Sequence, residues 1–325
     1  MSGGEGISLA ALRGDLSMPS TWQKVGKVAK LYIYPIKSLA NVQVEKFDVK
    51  ANGAEDNWTI DRQFMVVDRK GKMVTARKFP HMTMVVPMVT KEHLVLTYPG
   101  MEEIKVEIPR GEVKAESCDV WGEECLGVDM GDKVGEWLSD IIMQDTMAGL
   151  RLVFHNQAVS SRPDKEGNEY LTPLEKAGDK PWYADGYPYL LLSGPSVREL
   201  NKVLEEKGVD LEVEETRFRP NIYIEGDFPG FAEDKWAHVK IGECVFRNVK
   251  LCTRCVYTTV DPETGEKHHQ GEPLKTLRTF RTSLDMEEKK AYGTTPFFGV
   301  NLGVEVMGKI KVGDEVMISS DVKNL

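Results

Sequence analysis

The sequence predicts a β-rich α+β fold, in which short strands form a barrel or sandwich and a few helices pack against it. Three observations carry this expectation. From Val28 to Pro109, short runs rich in β-branched and aromatic residues alternate with turn residues. Only two stretches show an apolar stripe at helical spacing. The chain has 325 residues, more than one ordinary core accommodates, so two domains are expected.

Taken in order, residues 1–24 are rich in Gly, Ser and mixed charge and read as a flexible N-terminal tail. Strands are expected at Lys30 to Tyr34, Gln63 to Val67, Met73 to Ala76, Met84 to Val86, His93 to Tyr98 and Glu103 to Ile108. Asp68 to Gly71 reads as a hairpin turn in which Gly71 takes a positive φ. Between Asp132 and Met143, Val134, Trp137, Leu138, Ile141 and Ile142 share one helical face. A second helix is expected from about Pro195 to Lys207, with Ser193 as N-cap and Gly208 as C-cap. The polar stretch Asn156 to Pro181 reads as a linker or long loop and puts the boundary near residue 156, giving domains at 25–155 and 156–322. Strands return at Asn221 to Ile224, Val239 to Ile241, Cys244 to Phe246, Val249 to Leu251, Lys309 to Val312 and Glu315 to Ile318.

Charge narrows the function. A net charge of -9 leaves no general basic field for a nucleic-acid backbone or an anionic membrane, so any anion site must be a local cluster of Lys and Arg. Five cysteines, an odd number without a secretory segment, favour free thiols in a reducing compartment. The longest apolar run near the start is Leu9 to Leu12, far short of the roughly 20 residues of a membrane span, so no anchor is expected. No phosphate-binding glycine loop and no NAD, flavin or haem motif is present.

Cys252 and Cys255 stand two residues apart at the end of an apolar strand, with Arg254 between them. Such a pair serves as half a zinc site, as a dithiol redox centre, as a single thiolate ligand with a neighbour, or as core filling. His268 follows at a finger-like distance. Its neighbour His269 is adjacent rather than three to five residues on, and Gly265 to Pro273 is broken by Gly and Pro. The β-branched run Val256 to Val260 does not suit a thioredoxin-like helix start. Lys37, Ser38, Arg62, Arg219 and Asn221 lie at strand ends or turns, where they can converge on a phosphate.

Several segments together resemble a known family: Leu31 to Ser38 (LYIYPIKS), Asp61-Arg62, Val74 to Arg77 (VTAR), Phe218 to Asn221 (FRPN), Cys252 to Gly265 (CTRCVYTTVDPETG) and Lys311 to Asp314 (KVGD). In the same order they look like the MOSC-domain family, in its mitochondrial amidoxime-reducing branch. The resemblance implies a β-rich MOSC N-terminal domain followed by a β-barrel MOSC domain. It also implies a molybdenum-pterin cofactor (Mo-molybdopterin) with Cys255 as the protein ligand to the metal, while Cys252 is a small buried residue and not a ligand. Thr253, Arg254, Lys37, Ser38, Arg62 and Arg219 match its cofactor contacts, and Asn221 would orient that wall.

Two departures stand out. Both fall on positions that match cofactor contacts of the family, so the resemblance implies cofactor binding there too: Asp185, Gly186 and Tyr187 precede Pro188 where animal relatives have Asp-Thr-Ser, which replaces hydroxyl contacts by backbone, and Asn301 stands where they have Tyr. The implied activity is reduction of N-hydroxylated compounds (amidoximes, N-hydroxyguanidines, hydroxamic acids), with electrons from cytochrome b5 and its NADH-dependent reductase. Asp185 is a possible proton donor. The other readings are a sulfurtransferase carrying a persulfide on Cys255, or a non-catalytic cofactor carrier. Family location is the outer mitochondrial membrane facing the cytosol; without an anchor, a cytosolic or N-terminally shortened protein is expected, and a monomer.

Overall fold

The computed structural model describes residues 18–110, 113–156, 158, 175–176, 179, 181–283 and 285–319. Seven strands close into a barrel in the order Ile222–Gly226, Tyr189–Ser193, Phe297–Val306, Cys244–Thr253, His238–Ile241, Glu315–Ser319 and Trp22–Ile33, the last pairing back onto the first. All neighbours are antiparallel except Tyr189–Ser193 with Ile222–Gly226. Parallel strands need a crossover, and the helix Gly194–Glu206 supplies it. Its apolar stripe, Val197, Leu200 and Leu204, is buried against Tyr32, Leu192 and Phe218. Ser193 caps it as expected, accepting from the Ser196 amide.

A four-stranded sheet (Ala115–Val120, Glu123–Asp129, Arg151–Phe154, Phe64–Val67), a three-stranded sheet (Val86–Val89, His93–Thr97, Ile104–Glu107) and the helix Asp132–Met143 enclose a second core. That helix has the bounds its periodicity predicts. A smaller sheet joins Gly308–Lys311 to Lys46–Lys50, Gly53–Asp56 and Thr59–Ile60. Thus an early strand, Trp22–Ile33, is a stave of a barrel otherwise made from the second half of the chain. Of the tail expected over 1–24, residues 1–17 lie outside the described residues, and strand begins at Trp22. The linker expected over 156–181 lies largely outside them too.

Three strand expectations are corrected. Met73 makes only a single bridge to Val67, and the chain turns at Ala76 rather than extending to it, although the Asp68 to Gly71 turn forms with Gly71 at φ 74°. Met84 ends a 3-10 turn, Pro80–Met84, and the next strand starts at Val86. Cys244 to Phe246 and Val249 to Leu251 belong to one strand, Cys244–Thr253, whose register against Phe297–Val306 shifts at Asn248/Lys250. Such bulges re-aim the side chains that follow.

Glu233 is fully buried and accepts hydrogen bonds from Ser193 (3.0 Å) and Ser196 (2.6 Å), pinning the start of the crossover helix. Burial, with the adjacent Asp234, pushes its carboxyl up from 4.5 to about 7. A carboxyl with a raised folded pKa binds its proton more tightly in the folded state. Stability is therefore full below the unfolded pKa and falls as pH rises through the folded one. Denaturant unfolding should show a loss on the order of 1–3 kcal/mol between about pH 4.5 and 8. Glu233→Gln, which cannot ionise, should flatten that slope; an unchanged slope would show that Glu233 does not cause it.

Candidate functional site

One cavity of about 490 Å3 gathers every residue the sequence assigns to a cofactor site. Lys37 and Ser38 follow the strand Trp22–Ile33, and Arg62 precedes Phe64–Val67. Asp185, Gly186 and Tyr187 come from the loop before Tyr189–Ser193. Arg219 and Asn221 lead into Ile222–Gly226, and Asn301 sits within Phe297–Val306. Thr253, Arg254 and Cys255 end the strand Cys244–Thr253.

The backbone is strained where it meets this cavity. Seven described residues other than Gly have positive φ, and Ser38 (71°), Arg62 (48°), Trp121 (57°) and Arg219 (59°) all line it. For an L-residue this region costs about 1–2 kcal/mol, so the surrounding structure must hold each one in place. Asp61, 2% exposed, does much of that holding. Its Oδ1 accepts from the Tyr34 amide (2.9 Å), Arg62 Nη1 (2.6 Å) and Asn221 Nδ2 (2.9 Å). Asn221 also donates to Tyr32 O and accepts from the Leu190 amide, tying three chain segments together. The Tyr34 ring lies between the guanidiniums of Arg62 (4.3 Å) and Arg219 (4.1 Å).

Charge is unbalanced. Lys37 pairs with Asp185, and Arg62 with Asp61. Arg219 and Arg254, by contrast, make no ion pair among the described residues. Arg254, 8% exposed, donates to the carbonyls of Phe298 and Phe218, and Arg219 to Leu39 O (2.6 Å) and the Tyr257 hydroxyl (3.3 Å). The buried Nη2 of Arg219 has no hydrogen-bond partner. Six cations, Lys37, Arg62, Arg77, Arg219, Lys250 and Arg254, thus meet three carboxylates, Asp61, Glu175 and Asp185, at one cavity. Burying unpaired charge costs several kcal/mol per ion, and the arrangement becomes favourable once an anion enters. Asp185 is exposed at the cavity rim; nearby protein atoms disfavour its charge, but Lys37, Trp121 and Arg77 outweigh them and hold its carboxyl below the usual carboxylate range.

Cys255 is half-buried on the cavity wall and caps the 3-10 turn Val256–Thr259, its carbonyl accepting from Thr258. The Asp-Pro-x-Thr-Gly part of the motif shapes the loop behind it. Asp261 accepts from the amides of Glu263 and Thr264 and from Arg217. Gly265, at φ 66°, lies where a Cβ would come within 2.6 Å of His81 Cα, so only Gly allows this approach to the N-terminal sheets. Cys252 is half-buried and lines the cavity, which corrects its reading as core filling. It shares the cavity-facing side of the strand with Lys250, while Leu251 between them faces the barrel core. His268 and His269 lie on the loop outside the cavity.

Sequence reasoning missed Arg77, Trp121, Glu175, Lys250, Tyr257 and Tyr292, which also line the cavity. Arg77 ends the VTAR segment and was visible there without a role. Trp121 lies at a hairpin tip whose strands are too polar to announce themselves.

These features define a cofactor or anion pocket between a β-barrel and a β-rich N-terminal part. The chain matches the MOSC N-terminal beta barrel domain over residues 25–145 and the MOSC domain over residues 179–317. It belongs to the MOSC-domain family. Mitochondrial amidoxime-reducing component 1 of Homo sapiens is 35% identical over 297 residues, covering 91% of this chain and 84% of that protein. The Xenopus laevis component 1 is 37% identical over 295 residues (90% and 82%), and the Homo sapiens component 2 is 31% identical over 319 residues (96% and 90%). No helix among the described residues is long and apolar enough to cross a membrane.

The family implies a molybdenum cofactor, and the residues present fit one. No cluster of three or more His, Cys, Asp or Glu side chains suited to a metal occurs among the described residues, so a metal at Cys255 must bring its other ligands with it. An anionic cofactor carrying its own metal ligands meets that requirement and also neutralises Arg219 and Arg254. For protein prepared without molybdenum, inorganic phosphate at about 100 times its dissociation constant should raise unfolding free energy by about 2.7 kcal/mol. Arg219→Met should abolish the gain, whereas Lys24→Met, removing an exposed charge far from the cavity, should keep it. An equal gain in all three proteins would place the anion elsewhere.

Proposed function

We propose that the protein is a molybdenum-cofactor-dependent reductase of N-hydroxylated compounds: amidoximes, N-hydroxyguanidines and hydroxamic acids. The observation that carries the reading is the pairing, in one cavity, of the half-buried Cys255 thiol, with Cys252 near it, and two guanidiniums that make no ion pair among the described residues, the buried Arg254 and the half-buried Arg219. The naming of the relatives as amidoxime-reducing components supports it.

In this reading the Cys255 thiolate holds the metal, and Arg219 and Arg254 bind the anionic tail of the cofactor, with Lys37 and Arg62 beside them. Asn221, through Asp61, keeps Arg62 in its strained conformation. Bound, the cofactor supplies the two-electron chemistry that breaks the N–O bond of the substrate and releases the oxygen as water. Thr253 and Asn301 lie on paired strands and form the wall beside Cys255, while Gly186 and Tyr187 form the facing loop where a substrate would rest. Electrons come from cytochrome b5 and its NADH-dependent reductase, since the chain carries no motif for a flavin, haem or nicotinamide of its own. Its place is the outer mitochondrial membrane, facing the cytosol.

The test is made on protein expressed in a host that makes the cofactor. Wild type should contain about one molybdenum per chain and reduce benzamidoxime to benzamidine with reduced cytochrome b5. Cys255→Ala should lower kcat/KM at least about 100-fold, equivalent to about 2.7 kcal/mol of transition-state stabilisation. Metal-free wild type from that host, carrying sulfur released by cyanide, would replace this reading with sulfur transfer.

A further inference from the structure

The hairpin Ala115–Val120/Glu123–Asp129 turns through two residues, Trp121 and Gly122, both at positive φ (57° and 85°). Such a turn is best served by Asn-Gly, because Asn tolerates the conformation and bonds its own backbone. A large ring gains nothing local there. A residue strained without a local reason points to something outside the turn.

Every recorded partner of Trp121 lies at the cavity. Its indole N–H donates to Asp185 Oδ1 at 2.7 Å, joining the hairpin to the loop before Tyr189–Ser193. The Arg77 guanidinium lies over the ring at 4.1 Å, and the Lys37 ammonium stands 5.9 Å from its centroid. One hydrogen bond and one stacked cation fix the plane of the ring before any ligand arrives. The residue is nonetheless 42% exposed while lining the cavity. An aromatic surface that is held rigid and left uncovered beside a cluster of cations is suited to a flat, conjugated, electron-rich or anionic ring.

We infer that Trp121 is the stacking platform of this pocket, and that it positions a flat conjugated ring. In the reductase reading, on which the identity of the ligand rests, that ring is either the pterin of the cofactor or the aryl group of an N-hydroxylated substrate. Stacking requires only that one such ring binds.

The experiment uses the full chain prepared without molybdenum, titrated with 6-carboxypterin followed by its fluorescence anisotropy, and separately with benzamidoxime by calorimetry without an electron donor. Trp121→Leu, which keeps bulk but no π face, should weaken binding of one ring about threefold to tenfold. Trp121→Phe, which keeps a ring, should lie between it and wild type. Inorganic phosphate binding should stay within about twofold in both variants, showing that fold and cations are intact. Weaker pterin binding assigns the platform to the cofactor, and weaker benzamidoxime binding assigns it to substrate. If both rings bind Trp121→Leu as tightly as wild type, the inference is wrong. Loss of reductase activity or metal in wild type would overturn the functional reading alone, since these titrations require neither.

Discussion

Six cationic side chains converge on one cavity and three carboxylates answer them; the rest of the site follows from that imbalance. Like charges at close range repel, and partial burial removes the water that would screen them. The protein keeps them together by several means at once. Asp61 is buried at the centre and shared among Arg62, Asn221 and the Tyr34 amide. The Tyr34 ring separates two guanidiniums while giving each a π face. Arg254 donates to the backbone carbonyls of Phe298 and Phe218, which fix its direction and leave its charge uncancelled. Strained φ values at Ser38, Arg62 and Arg219 are the backbone side of the same demand: the chain bends to aim donors inward.

Topology makes this convergence possible. The strand Trp22–Ile33 leaves the N-terminal part to close the barrel, carrying Lys37 and Ser38 to the mouth formed by the loops before Tyr189 and Ile222. The hairpin bearing Trp121 meets the same mouth from the N-terminal four-stranded sheet. Cavity walls therefore come from segments distant in sequence, and the Asp-Pro-x-Thr-Gly loop, with Gly265 pressed against His81, sets the spacing between the two parts.

Much of this was legible in the sequence, for identifiable reasons. The helix Asp132–Met143 announces itself because its buried residues recur at helical spacing. Ser193 announces the crossover helix through its cap. The Cys252 to Gly265 segment marked the site, since short loops with fixed turn chemistry tolerate little change of residue type. Long-range geometry was less visible. Met73 to Ala76 has strand composition but ends in a turn, and Cys244 to Leu251 looked like two strands because a bulge interrupts its alternation. Cys252 was read as buried because free cysteines so often fill cores, and composition does not show that the strand face it shares with Lys250 lines a cavity. The strands flanking Trp121 are rich in acidic residues and depend on pairing for their structure, so neither the hairpin nor its exposed ring could be anticipated.

The central claim is that the uncompensated charge of Arg219 and Arg254 is reserved for an anionic cofactor. Native mass spectrometry of protein from a cofactor-producing host reads this directly, because it weighs the intact folded chain with whatever it retains. Wild type should exceed the mass of the bare chain by that of a molybdenum-pterin cofactor, and Arg219→Met combined with Arg254→Met should appear at the bare mass with the charge-state distribution of a folded protein. A double variant that is folded and carries the same added mass as wild type would contradict the account.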